Sequence, residues 1–315
     1  MRFLIKMRFK RALATESIYP WENKPRRGLI HSDTLFGAIA NQWVKIPAPC
    51  SMEQLKDRLN TASPPFRISS AFPFSGDNYY LPTPRGTKDF YMDLLKNVPY
   101  LELSYFLKLS HGDTSHLGKL PESDPVYGIL FGFSAPRLTV DRITCSTNVY
   151  DAHGWSFTEN SGLYFILEIH NQEFFDTLEV CLHLLGEAGI GADRNVGFGA
   201  FKPSTYPIEA NTEWDELFAE KEGQDITFCT LSLVCPNDNI EARESISYDI
   251  IPRKGWILSN SSLMQAKRRK CHMFAEGSLF KKPVLGQLAD VTPSIFLKEH
   301  QVWRYGLGLC ISGVW

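Results

Sequence analysis

No run in this chain approaches the roughly 18 uninterrupted apolar residues that a membrane-spanning helix needs. Met1 to Ala14 breaks every short apolar stretch with Arg or Lys, so the core of a signal peptide is missing as well. A cysteine framework is also lacking. The 7 cysteines are odd in number and scattered, none forms a CxxC pair, and the adjacent Cys271 and His272 cannot easily share one tetrahedral site. This pattern speaks against zinc and for reduced thiols in the cytoplasm, with no metal and no cofactor expected. No Gly-Lys-Ser/Thr closes a Walker loop, and no dinucleotide fingerprint precedes a helix. Low-complexity tails and short repeats are absent. The formal net charge is only −2, whereas a free-standing nucleic-acid-binding domain is usually basic.

The charge that is present is clustered. Residues 1–31 hold Arg2, Lys6, Arg8, Lys10, Arg11, Lys24, Arg26 and Arg27 against Glu16 and Glu22. Residues 253–282 hold Arg253, Lys254, Lys267, Arg268, Arg269, Lys270, Lys281 and Lys282 against Glu276 alone. Local potential, not the sum, attracts a polyanion. The plain alternative is that each run is a solvated face.

The length of 315 residues suits two domains. Phe3, Ile5, Met7 and Phe9 alternate with Lys6, Arg8 and Lys10, the period of a half-buried strand. A helix is predicted from Ser32 or Asp33, either of which could cap it, with Leu35, Ile39 and Trp43 on its apolar face and Pro47 and Pro49 beyond it. Residues 63–86 read as a loop with one short strand. Residues 108–160 read as an insertion with a hairpin, Arg137 to Thr144 forming one strand. A strand at Leu163–Ile169, a helix from Gln172 to Leu185 and a strand from Phe198 to Tyr206 follow. Strand-helix-strand given twice is the ferredoxin-like pattern. The expected organisation is an α+β, ferredoxin-like domain at 1–210 and a smaller, degenerate one at 211–315. The second would open at Ile226–Cys235 and close at Tyr305–Trp315.

The most informative segment is Gly189-Ile-Gly-Ala-Asp-Arg-Asn-Val-Gly-Phe-Gly199, directly after the second long helix. Gly189, Gly191 and Gly197 allow positive φ and close approach, and consecutive N–H groups can form an anion-binding concavity. Arg194, beside Asn195, adds a fork suited to phosphate. A helix cap would explain one glycine but not this many.

A glycine-rich loop in this position resembles that of the RAMP superfamily of CRISPR-associated RNA-binding proteins. His31-Ser-Asp-Thr-Leu-Phe-Gly-Ala-Ile39 is similar to the first-helix motif of one of its families, the fourth subunit of the type III-A (Csm) effector complex. Pro136-Arg-Leu-Thr-Val-Asp-Arg142 resembles that family's thumb strand, and Ala275-Glu-Gly-Ser278 and Val302-Trp-Arg-Tyr-Gly306 resemble its C-terminal motifs. The resemblance implies a non-catalytic subunit that holds the 5′ repeat-derived handle of the CRISPR RNA in the cytoplasm. It also implies partners: a large subunit with polymerase-like cyclase domains, and a backbone RAMP subunit. The implied RNA contacts are His31, Ser32, Arg137, Arg142 and the loop around Arg194 and Asn195. Arg26, Arg27, Arg253, Lys267 and Arg268 of the basic runs join them as candidates. Arg137 and Arg142, five apart on a regular strand, would point to opposite faces.

His31 and Asp33 are the best candidates for hidden chemistry, since a histidine could act as a general base beside bound RNA. Residues two apart at a helix start point in different directions, however, and Asp33 fits a cap or a first-turn anion. Two other classes stay open: an endoribonuclease that processes the CRISPR precursor, and a scaffold whose basic patches meet acidic proteins.

Overall fold

The computed structural model describes residues 1–15, 30–85, 95, 98–115, 128–210, 212–221, 223, 225–257, 266–296 and 301–315. Its central antiparallel sheet is built on β1 (Arg2–Phe9), which pairs on one side with β8 (Ser161–Ile169) and on the other with β9 (Phe201–Pro207). Beyond β8 lie two short strands end to end, β2 (Phe66–Ile68) and β3 (Phe72–Ser75), then β4 (Asn78–Pro82) and β5 (Tyr100–Glu102). Helix α1 (Ser32–Trp43) follows β1, and α4 (Glu173–Ala188) follows β8, with α2 (Met52–Leu59) and α3 (Leu103–Ser110) between them. The sheet order β9-β1-β8-β2/β3 places the fourth, first, third and second strands of the β-α-β-β-α-β pattern side by side.

The apolar stripe behaves as its spacing dictates. Leu35, Ile39 and Trp43 of α1 are buried, and Trp43 stacks on Phe174 of α4 with centroids 5.8 Å apart. The odd residues of β1 face these helices, Phe3 stacking on Phe175. The even face was expected to meet solvent, and it does not. Helix α5 (Glu213–Phe218), capped by Thr212, lays Trp214 against Tyr79 and Tyr164 on that side. Lys6 is consequently 4% exposed, its Nζ 3.1 Å from the Gly76 carbonyl and between the rings of Phe74 and Tyr79. Covered on both faces, β8 is buried along its whole length.

Residues 63–86 form more than a loop with one strand. The edge strand breaks at Ser69–Ala71, where Ser70 N–H donates to the Leu231 carbonyl and Ala71 N–H to the Ile30 carbonyl. That break ties the C-terminal part to the first. The C-terminal sheet runs β11-β14-β10-β17, from β11 (Ser245–Ser247), β14 (Leu279–Phe280), β10 (Thr227–Thr230) and β17 (Cys310–Gly313). Helix α6 (Asn239–Arg243) precedes β11, and a separate ribbon pairs β12 (Ile250–Arg253) with β13 (Cys271–Phe274). A last pair joins β15 (Ala289–Asp290) to β16 (Trp303–Arg304). One apolar cluster runs through both parts: Leu231, Leu279, Tyr305 and Ile311 share it with Ile5, Phe36 and Phe66. Tyr305 stacks on Phe36 and accepts the Ile68 N–H through its hydroxyl at 2.9 Å.

The expected insertion carries a long hairpin, β6 (Leu130–Val140) with β7 (Thr147–Phe157). Only its base is packed, Phe157 stacking on Phe9. Leu138, Ile143 and Val149 toward its tip are exposed. The strand ends at Val140, earlier than Thr144, because the Asp141 carboxylate accepts the N–H groups of Ile143 and Thr144 and bends the chain. Arg142 therefore sits in the turn, and the opposite-face relation to Arg137 does not arise.

Candidate functional site

After β1 the chain runs as Lys10–Ala14 between the hairpin and the glycine loop. Leu13 and Trp155 exchange both backbone hydrogen bonds at 2.8 Å, while Gly199 N–H donates to Ala12 and Ala192 N–H to Ala14. Such close approach needs small residues. A Cβ on Gly154 would lie 3.0 Å from the Leu13 carbonyl oxygen, and one on Gly191 would collide with that of Ala14. Gly191, at φ 95°, needs its freedom of conformation as well.

Most of the loop's N–H groups are spent inside the protein, which narrows the anion-concavity expectation to the tip at Asp193–Asn195. The N–H groups of Gly189, Ile190, Ala192, Val196, Gly197, Phe198 and Gly199 all bond within the protein. Gly191 thus holds the loop as a strap onto the Lys10–Ala14 segment, while Gly189 closes against Phe198–Ala200 and Gly197 lies under Arg11. Arg194 and Asn195 stand exposed in a single 3₁₀ turn at the tip, Arg194–Val196. The Arg11 guanidinium lies across Gly197, its Nη1 2.9 Å from where a Cβ would be. Arg137 of β6 lies 4.9 Å above the ring of Phe198. None of these three arginines forms an ion pair with a described residue, and Glu187, a conceivable partner for Arg194, is held by Lys10 at 2.7 Å. Three cations therefore share one surface at the meeting of loop, segment and hairpin.

Among the other described residues of the first basic run, Lys6 is caged, Arg2 pairs with Glu168 at 2.8 Å, Lys10 pairs with Glu187, and Arg8 lies 5.7 Å from the centroid of the Phe74 ring. Arg26 and Arg27 lie outside the described residues. Arg11 belongs to the same run. Its place just past the end of a strand, where alternation no longer dictates a face, was the available signal.

The first turn of α1 is a different environment. His31 is the residue before the helix and makes no side-chain cap; Ser32 and Asp33 lie inside the turn and cap nothing. Ser32 is fully buried, its Oγ accepting the Leu233 N–H and its own N–H donating to Ser70 Oγ. It cannot reach RNA. Asp33 is gripped by Arg253, whose Nε and Nη2 each lie 2.9 Å from a carboxylate oxygen, and by Arg304. Burial alone would raise the Asp33 carboxyl, but the two guanidinium groups outweigh it and lower it to about 2. Arg253 is thus a tie between α1 and β12, not a free cation. His31 Nδ1 lies 2.7 Å from Glu276 Oε1, and Ser70 Oγ donates to the same oxygen. Burial would raise the Glu276 carboxyl; His31 and these hydrogen bonds keep it below its ordinary value. Lys267 is exposed on the extension of the β12–β13 ribbon, while Arg268 is partly buried with its N–H on the Gly255 carbonyl. His31 and Asp33 do point to separate partners, as their spacing implied.

Residues 223–312 match the family described as the CRISPR Csm4 C-terminal domain. A relative from Thermococcus onnurineus (strain NA1), "CRISPR system Cms protein Csm4", is 27% identical over 297 residues, covering 90% of this chain and 91% of its own length. In fold, the chain is similar to one in the crystal structure of a Csm3–Csm4 subcomplex of the type III-A CRISPR-Cas interference complex. The TM-score is 0.65 at 18% identity, with 99% of each chain covered. It is also similar to a chain in the crystal structure of a Csm1–Csm4 cassette in complex with AMPPNP. There the TM-score is 0.60 at 21% identity, covering 99% of this chain and 97% of the other.

Proposed function

Starting from a Csm4-like RAMP subunit, we propose that this chain is the non-catalytic subunit of a type III-A CRISPR effector complex that holds the 5′ repeat-derived handle of the CRISPR RNA. It joins the large cyclase-type subunit to a backbone RAMP subunit, as the Csm1–Csm4 and Csm3–Csm4 assemblies of its structural neighbours suggest. The observation that carries the RNA reading is the meeting of Arg11, Arg137 and Arg194 at the glycine loop without carboxylate partners among the described residues. Guanidinium groups recognise phosphate through paired donors, and the exposed apolar tip of the β6–β7 hairpin can wedge between unstacked bases. The net charge of −2 fits a grip shared with partner subunits.

A second reading has one observation in its favour: a buried carboxylate orients His31, as in a general-base pair. Against it, His31 is 9% exposed and Asp33 is committed to two arginines. Sequencing the RNA that co-purifies with the tagged complex from its native host tests the first reading. RNA with one defined 5′ end supports it; a complex assembled without RNA contradicts it. Cleavage of precursor RNA by the isolated chain would favour the second.

A further inference from the structure

The β12–β13 ribbon continues past its ladder. Ile257 N–H donates to the Ala266 carbonyl and Arg268 N–H to the Gly255 carbonyl, each at 2.9 Å, and Trp256 pairs with Lys267 as an isolated bridge. The indole of Trp256 is 55% exposed, an unusual position for so large an apolar ring. The Lys267 ammonium lies 5.1 Å from its centroid. Lys254, Arg269 and Lys270 are exposed on the same two segments, and residues 250–257 and 266–275 contain no acid. Of the described carboxylates around the ribbon, Asp33 and Glu276 are buried in their own pairs, Asp249 at its start pairs with Arg85, and Asp290 lies near Arg269 and Lys56. The ribbon's base is pinned, because Arg253 is clamped by Asp33 and Arg304 Nη2 donates to the Lys254 carbonyl at 2.8 Å. An exposed indole on a rigid, purely cationic ribbon is the arrangement on which an unpaired base stacks while neighbouring phosphates are neutralised.

We propose that Trp256 is a stacking platform for one base of single-stranded RNA, with Lys254 and Lys267 on the flanking phosphates. This rests on the reading of the chain as an RNA-holding subunit and adds a second contact, away from the glycine loop.

The test uses the full chain and a labelled oligouridylate, with anisotropy followed over a salt series from low ionic strength. Trp256→Ala should weaken binding by about 5- to 150-fold, with the salt dependence and the melting temperature unchanged. Trp256→Phe should retain most of the affinity. Joint Lys254→Ala and Lys267→Ala should lower the slope of log K against log salt by about 1.4. Parental affinity in Trp256→Ala would overturn the platform. If Arg194→Glu weakens binding while Trp256→Ala does not, this inference fails alone; if neither does, both readings fail. Polyglutamate that displaces the RNA and is itself equally sensitive to Trp256→Ala would mark a protein dock and overturn the proposal.

Discussion

Two clusters of arginines that the fold assembles from distant parts of the chain differ in what their charges do. At the first turn of α1, Arg253 and Arg304 are spent on the buried Asp33, and His31 on Glu276. At the glycine loop, Arg11, Arg137 and Arg194 surround packed backbone yet have no acid partner among the described residues. The first arrangement welds the C-terminal part to the N-terminal helix. The second leaves charge for a polyanion. A cation's availability is thus set by whether folding has already neutralised it, and composition alone does not reveal that.

The sharpest way to break the comparison is Asp33→Ala. It strands two desolvated guanidinium groups, so denaturant unfolding should show a loss of about 3–5 kcal/mol. RNA content per folded complex should stay near parental. A Gly191→Val change comes next. It forces a branched residue into φ 95° and against the Ala14 carbonyl, and should lower stability by about 1–3 kcal/mol in thermal melting. Stability unchanged by this substitution would refute the strap.

Protons probe the same buried site. The Asp33 carboxyl is lowered in the fold from its ordinary 3.8 to about 2. Its contribution to stability is therefore complete above pH about 4 and lost as pH falls toward 2, worth roughly 2 kcal/mol. Asp33→Asn should flatten that acid limb, measured by melting across the window. Smaller still is the effect expected of His31→Ala on chemistry: target-RNA cleavage by the assembled complex should persist, apart from any loss of assembly. Abolished cleavage in a complex that still holds its RNA would restore the catalytic reading.

The strands and helices around β1 and β8 were legible because alternation and the apolar stripe are local signals, as Leu163–Ile169 and Leu35, Ile39, Trp43 illustrate. Residues 66–82 were not, since Pro and polar residues interrupt strands whose pairing is decided by β8 and the C-terminal part. The site was half legible. Arg194 stood out through its glycine loop, but the fate of Lys6, Ser32 and Arg253 depended on partners 70, 201 and 220 residues away. Arg11 owes its place to the Lys10–Ala14 segment threading between loop and hairpin, a tertiary arrangement that no local pattern encodes.

The central claim is that RNA is held by arginines that have no acid partner among the described residues. It is tested most directly by Arg194→Glu in the assembled complex, with melting temperature and CRISPR RNA per complex measured on one preparation. The expected result is a melting temperature close to parental together with a clear depletion of RNA. A lowered melting temperature with RNA occupancy unchanged would contradict it and return Arg194 to the fold.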